Sequence, residues 1–294
     1  GPWRQVRPHL GGYAFLLPSL VFFLAFIVFP VAASFALAFT HWDLLTPPRF
    51  TGLQNYQYLF TKDKLFRKVL WNTIYYSVVS VPLGIACSLG LAVALNQKIR
   101  GVVVYRTLYF LPVVSSLIAV SIVWRWIYQG DWGLLNYLLG LVGIPRQNWL
   151  YDTNLAMPAV IFMSVWKGLG YNMVLFLAGL QGIPDVYYEA ARIDGARRWR
   201  LFRNITLPLL SPVMLFVLII AVINSFQVFG TIYIMTQAGP LDSTNVLVYY
   251  LYFTAFQNLQ MGYAAAIGWV LFAFLFLFTM IQLRASKEWV HYGL

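Results

Sequence analysis

Six long apolar stretches separated by shorter polar or charged segments set the pattern of this chain. A helix that crosses roughly 30 Å of hydrocarbon needs about 20 mostly apolar residues. Residues 13–39, 72–96, 107–128, 154–180, 207–234 and 263–283 meet that length. They predict an all-α integral membrane protein with six transmembrane helices. The first stretch is far longer than the roughly 7–15-residue core of a secretory signal, so it reads as a retained helix. Asn154 stands where an N-cap of the fourth helix is expected, and Pro208 where a first helical turn tolerates proline. Before the second stretch, Leu59, Phe60, Leu65, Phe66, Val69 and Leu70 recur among Lys62, Lys64, Arg67 and Lys68. This spacing predicts an amphipathic helix lying at the outer interface. Trp124, Trp126, Tyr128 and Trp132 gather at the outer end of the third stretch, where such rings favour the headgroup level.

Composition sharpens the picture. The chain is 61% hydrophobic and 10% charged, against about a quarter charged residues in soluble domains. That is too little charge for a polar shell, so lipid covers the remaining surface. The net charge of +11 would suggest nucleic acid in a soluble protein. Here the basic residues form no dense tract and sit between the apolar stretches, the pattern of loops sorted by the positive-inside rule, so no nucleic-acid partner is expected. Six spans place both termini on one side. Twelve Lys/Arg fall on that side (Arg4, Arg7, Lys98, Arg100, Arg106, Arg192, Arg197, Arg198, Arg200, Arg203, Arg284, Lys287) and six on the other (Arg49, Lys62, Lys64, Arg67, Lys68, Arg146), so both termini are expected to be cytoplasmic. Cys87 stands alone in an apolar run, and His9, His41 and His291 are scattered, which leaves no disulfide framework and no thiolate or histidine metal site.

Polar groups at membrane depth are the candidates for chemistry. Arg125 lies near an outer end, within reach of the interface by snorkelling. Lys167 lies mid-span, where a cation costs about 2.5–3.5 kcal/mol. Two roles fit it: part of a polar pathway, or a donor to helix-end carbonyls. Gly168 and Gly170 beside it permit close approach of backbone or ligand. In the fifth stretch Asn224 and Gln227 share a face, with Ser225 adjacent. They suit either interhelical hydrogen bonding or the lining of a path for a hydroxylated solute.

Between the fourth and fifth stretches runs Gly182-Ile183-Pro184-Asp185-Val186-Tyr187-Tyr188-Glu189-Ala190-Ala191-Arg192-Ile193-Asp194-Gly195-Ala196. Asp185 reads as an N-cap and Gly195 as a stop. Ala190 and Ala191 keep one surface small. A second short helix carries Trp199 and Phe202 among Arg197, Arg198, Arg200 and Arg203. The result is a capped, partly apolar docking helix.

Glu189-Ala190-Ala191-x-x-Asp194-Gly195-Ala196, followed by Phe202, Ile205 and Leu207-Pro208, resembles the EAA loop of permeases of binding-protein-dependent ABC importers. Gly52-Leu53-x-Asn55-Tyr56, Leu111-Pro112, Trp124-Arg125-Trp126, Trp166-Lys167-Gly168-x-Gly170-Tyr171, Leu177-Ala178-Gly179-Leu180-Gln181-x-Ile183-Pro184 and Met235-Thr236-x-x-Gly239-Pro240 resemble the carbohydrate branch, the maltose and glycerol-phosphate permeases. Ala238 departs from the pattern, which often carries a second glycine there.

The resemblance implies a type-1 permease architecture in a bacterial or archaeal plasma membrane. It divides the chain into an N-terminal segment with the first helix and the external amphipathic segment (1–67), a permease domain (68–284) containing the coupling loop (182–208), and a cytoplasmic tail (285–294). Glu189, Ala190, Ala191, Asp194, Gly195 and Ala196 would dock on one of two cytoplasmic ATPase subunits, which hold the ATP and Mg; this chain itself has no cofactor. A second homologous permease completes the pathway, and an extracytoplasmic solute-binding protein delivers sugar. Lys167, Gly168, Tyr171, Asn224, Ser225 and Gln227 are the pathway candidates, Tyr171 offering a ring face to sugar C–H surfaces. Other readings fit less well. No phosphate loop ending in Gly-Lys-Ser/Thr is present. No His lies in a span, which an intramembrane enzyme would use. No Asp or Glu lies in a span, which an ion-coupled secondary transporter would need.

Overall fold

A computed structural model describes residues 10–97 and 100–291 of the 294-residue chain. Arg4, Arg7, His9 and Lys98 lie outside the described residues. The chain divides into two compact units, Gly1–Asp63 with Leu251–Val270, and Lys64–Tyr250 with Leu271–Leu294.

The first unit opens with α1 (Leu10–Phe23), which a π-helical turn (Leu24–Val28) joins to α2 (Phe29–Leu37). Phe15, Phe22, Phe26 and Phe29 are each more than two-thirds exposed, as an apolar helix facing lipid requires. A two-residue ribbon follows, β1 (Thr40–His41) against β2 (Arg49–Phe50), and then α3 (Gln54–Thr61). In the turn, the Thr46 N–H and hydroxyl, then the Leu45 N–H, hold the Asp43 carboxyl below its usual pKa. Asn55 Nδ2 donates to both Ala38 O and Thr40 O at 2.9 Å, which fixes the ribbon to α2. The first part of α14 (Met261–Trp289) closes this unit: Met261 N donates to Trp42 O, the Tyr263 hydroxyl donates to the buried Asp63, and the Trp269 ring meets Phe35 edge-on at 4.7 Å.

The second unit begins with α4 (Lys64–Leu95). The interfacial amphipathic helix expected across 59–70 is therefore corrected. α3 ends at Thr61, and Lys64–Leu70 form the first turns of the spanning helix itself. The apolar set continues into the span in helical register, with Phe66 and Val69 buried. Lys68 is held by protein, its Nζ donating to Leu241 O at 2.5 Å.

The third expected span is also not one rod. It comprises α5 (Val102–Val114) and α6 (Leu117–Ile127), bent by 99°. Pro112 supplies no N–H to the last turn of α5, and Ser115 and Ser116 take extended backbone angles (ψ 143° and 130°). A short helix α7 (Leu134–Leu141) precedes α8 (Ala156–Gln181). Asn154 does not cap α8. Asp152 Oδ1 accepts the N–H groups of Asn154 and Leu155, and Asp152 O that of Ala156. The carboxylate two residues earlier reaches these donors in an Asx turn.

After α9 (Asp185–Ile193), the short α10 (Arg198–Leu201), a π-helical turn (Phe202–Thr206) and α11 (Leu207–Phe226) make one span from Arg198 to Phe226. The expected second short helix of the loop is thus the first part of that span. The span stops at Phe226 rather than 234, because the chain leaves helical geometry (Phe229 φ −140°) before α12 (Gly230–Met235). α13 (Leu247–Phe256) and the rest of α14 follow; residues 285–289 continue α14, and His291 N donates to Ser211 Oγ. Among the described residues, five helices are long and apolar enough to cross a membrane, or six with the bent pair α5–α6 counted as one span.

Two of the apolar clusters in the second unit share α4 and α8. One joins Ala92, Leu95, Met173, Phe176, Leu177, Leu180, Ile183, Leu210 and Val217. The other joins Tyr76, Met157, Val160, Ile161, Ile232, Ala238, Val246 and Tyr249. Ala238 adopts φ 68°, a left-handed angle that costs a non-glycine residue about 1–2 kcal/mol. Burial of its methyl in the second cluster offsets about 0.8 kcal/mol of that.

Candidate functional site

Between the two clusters, at the middle of α4 and α8 and the C-terminal end of α11, lies a cavity of about 130 Å³. α4 brings Tyr76, Ser80 and Gly84 to it, at helical spacing of four. α8 brings Ser164, Gly168 and Asn172, again four apart, and α11 brings Ala221, Asn224 and Ser225. The small residues let the backbones come close, as in other membrane-embedded helix pairs. Ser88 Oγ lies 2.7 Å from Gly84 O and 3.2 Å from Leu169 O across α4 and α8. Ser225 Oγ sits 2.9 Å from Ser77 Oγ and fixes α11 against α4.

The residues expected at this site divide. Gly168, Asn224 and Ser225 come together in the cavity lining. Tyr171 and Gln227 are exposed and outside it. Lys167 has other partners: its Nζ donates to Pro112 O and Ser115 O, both at 3.1 Å. These are the carbonyls left without helical N–H partners where α5 breaks. Gly170, three residues on, is the crossing point of α5 and α8. A Cβ there would stand 2.2 Å from Tyr109 O and 2.9 Å from Phe110 Cα. Asn172, Ser164, Ser80 and Tyr76 were missed; the four-residue period from Gly168 was the signal for Asn172 and Ser164.

The second candidate region is the loop 182–208. Pro184 (ψ 135°) precedes α9 as its N-cap residue, so Asp185 occupies the first turn rather than the cap, with no side-chain cap bond. There its charge still favours the positive helix end, as Arg192 favours the other. Gly195 (φ 77°) ends the helix in a Schellman motif, Ala196 N donating to Ala191 O at 2.9 Å and Gly195 N to Arg192 O at 3.0 Å. Glu189, Ala190, Asp194 and Gly195 are exposed, and Ala191 and Ala196 half-buried. Val186, Ala190 and Ile193 follow at i, i+4 and i+7 on one face and are all exposed, Ile193 to 87%. Toward the protein, Tyr188 packs on the first apolar cluster, its hydroxyl 3.1 Å from Thr206 Oγ1. Ile183 belongs to that same cluster. The helix is therefore wedged against the ends of α4, α8 and α11 while its apolar stripe faces outward.

Comparison with known proteins identifies the scaffold. A probable ABC transporter permease protein of Bacillus subtilis, YesP, is 42% identical, over 98% of this chain and 94% of its own length. The lactose transport system permease protein LacF of Rhizobium radiobacter is 35% identical over 95% of each chain. The arabinooligosaccharides transport system permease protein AraP of B. subtilis is 35% identical over 97% of this chain and 91% of its own. In fold, the chain is similar to one from a bacterial alginate ABC transporter in complex with an alginate pentasaccharide-bound periplasmic protein, with a TM-score of 0.86, 24% identity and 99% of both chains covered. Residues 13–289 match the family described as "binding-protein-dependent transport system inner membrane component". With close relatives that are sugar permeases and a fold of several apolar spans, this chain belongs to that family, as a multi-pass permease subunit of an ABC transporter.

Proposed function

We propose that this chain forms half of the translocation pathway of an ATP-driven sugar importer and is coupled to a cytoplasmic ATPase through residues 182–208. The observation that carries the reading is the two-sidedness of α9. Val186, Ala190 and Ile193 turn outward, while Tyr188 and Ile183 join the cluster that runs to the level of the cavity. An exposed apolar stripe on a well-capped helix suits a groove on another protein, and force applied there is carried by packed side chains to α4, α8 and α11.

In this reading Glu189, Ala190, Ala191, Asp194, Gly195 and Ala196 form the ATPase contact, and ATP with Mg binds the partner subunits. Two ATPase copies, a second homologous permease and an extracytoplasmic solute-binding protein complete the importer. The names of LacF and AraP, and the periplasmic protein in the alginate complex, support sugar and a delivery protein. Gly168, Asn172, Asn224 and Ser225 form this chain's share of the sugar path, within a permease domain spanning 68–284. Tyr171 and Gln227 would touch sugar on the part of the path shared with the second permease, and Lys167 acts as a positioning residue for the α5–α6 bend. Both termini and the coupling loop face the cytoplasm.

The test combines co-purification with uptake. Ile193→Asp and Glu189→Lys should leave the permease inserted but lose the ATPase subunits on purification and lose uptake. Asn224→Leu should keep the ATPase and its stimulation by the binding protein while uptake slows. Wild-type uptake in all three variants rules the reading out.

A further inference from the structure

We propose that the hairpin following α6 is a binding site for the headgroup of a zwitterionic aminophospholipid, held on the membrane face opposite the coupling loop. The hairpin is rigidly built. Asn136 is 4% exposed and uses its whole hydrogen-bonding capacity across it. Its Nδ2 donates to Gly130 O at 2.7 Å and Gln147 O at 2.8 Å, and its Oδ1 accepts from Gln147 N at 3.2 Å and Trp149 Nε1 at 2.8 Å. Gly133 is buried where a Cβ would meet Gln129 O at 2.2 Å, so the turn is tight as well as clasped.

Against this clasp lies a cavity of about 490 Å³ walled by Trp126, Trp132 and Tyr137 and carrying Asp131 and Arg146. The two indole rings stand 6.4 Å apart at 52°. Among the described residues, neither Asp131 nor Arg146 has an ion-pair or side-chain hydrogen-bond partner. Such a cavity offers three complementary features to one ligand. Indole faces attract a quaternary or primary ammonium, a carboxylate completes its charge, and a guanidinium forks onto a phosphate.

The apolar surroundings decide what carries that headgroup. Leu138, Leu141 and Val142 on and just after α7 are 50–71% exposed. At a water-facing mouth they would be an unpaired apolar patch. At the interface they rest on acyl chains, with the aromatic rings at headgroup depth. A lipid therefore satisfies both the charged cavity and the apolar flank, whereas a soluble sugar satisfies only the first.

The experiment is native mass spectrometry of the purified transporter complex, delipidated and then titrated with phosphatidylethanolamine or phosphatidylglycerol of matched acyl chains. The wild type should retain phosphatidylethanolamine preferentially. Asp131→Asn should lower that retention about tenfold and leave phosphatidylglycerol unaffected, and Arg146→Gln should lower both. Equal retention of the two lipids by the wild type overturns the proposal without recourse to any variant. So does unchanged retention in Asp131→Asn, displacement of the lipid by soluble phosphoethanolamine at equal concentration, or displacement by maltotriose, which would mark a saccharide site. The measurement involves no transport, so its failure leaves the sugar-import reading standing.

Discussion

Replacing Gly170 by alanine adds one methyl group where α5 crosses α8. The new Cβ would stand 2.2 Å from Tyr109 O, 2.9 Å from Phe110 Cα and 3.0 Å from Tyr109 C. All three are backbone atoms, so no rotamer change relieves the overlap. A carbon rests no nearer than about 3.3 Å to a carbonyl oxygen, so α5 must retreat by about 1 Å. That movement carries the end of α5 away from Lys167, whose bonds to Pro112 O and Ser115 O are already 3.1 Å long. Overpacking costs about 1–3 kcal/mol, and a weakened charged hydrogen bond adds about 1.5–3 kcal/mol. A combined loss of about 2.5–6 kcal/mol is a large share of a stability of about 5–15 kcal/mol.

The same helix supplies the control. A Cβ at Gly168 meets nothing within 4 Å, and glycine to alanine in a helix interior gains about 1 kcal/mol. Gly168→Ala should therefore melt at or above the wild-type temperature, although its methyl faces the cavity and should slow uptake. Gly170→Ala should melt well below it. Thermal denaturation of the detergent-purified complex, followed by fluorescence-detected size exclusion, reads the difference. If Gly170→Ala is as stable as Gly168→Ala, the close crossing of α5 and α8 is not real.

Lys167→Met should lower stability by about 2–4 kcal/mol, since two helix-end carbonyls lose their donor, with little effect on the sugar concentration for half-maximal uptake. A large shift in that concentration at unchanged melting temperature would assign the lysine to the sugar path instead. Asn136→Ala should raise hydrogen exchange across 129–149 and cost about 2–4 kcal/mol, because four groups lose their partner; exchange at the wild-type rate would contradict the clasp. Arg198→Cys should react with a membrane-impermeant thiol reagent only from the cytoplasm, and Leu241→Cys, at a position 80% exposed, only from outside; labelling of both from one side contradicts the proposed orientation.

How much of this was legible follows from the range of each signal. The spans and the Gly195 stop rest on residues next to one another, and lipid offers a backbone few alternatives to a helix. The break at Ser115–Ser116 was less visible. Pro112 marks a weakened turn, but helices in membranes often carry proline intact, as α4 does at Pro82. What separates the two cases is a donor from far along the chain, since Lys167 reaches the carbonyls of α5 across 52 and 55 residues of sequence. The cavity was legible in half. Asn224 and Ser225 were found as polar exceptions in an apolar run, and Gly168 by its place beside Lys167. Tyr171 was chosen for its ring, whereas the helical period from Ser164 through Gly168 selects Asn172.

Lys167 and Gly170 together explain why a costly cation stands at that depth. Gly170 lets α5 approach α8 closely enough for a lysine three residues earlier to reach the broken end, and the lysine supplies donors that Pro112 and the extended serines leave wanting. Neither residue works without the other: a larger side chain at 170 separates the helices, and an apolar one at 167 leaves two carbonyls bare in hydrocarbon. The bend they hold turns α6 by 99° toward α12, where Gly230 stands so close that a Cβ would meet Leu117 Cδ2 at 2.7 Å. Trp166-Lys167-Gly168-x-Gly170 is thus a single device with two outputs. Lys167 and Gly170 fix the path of the third span on one side of α8, and Gly168 opens the cavity on the other.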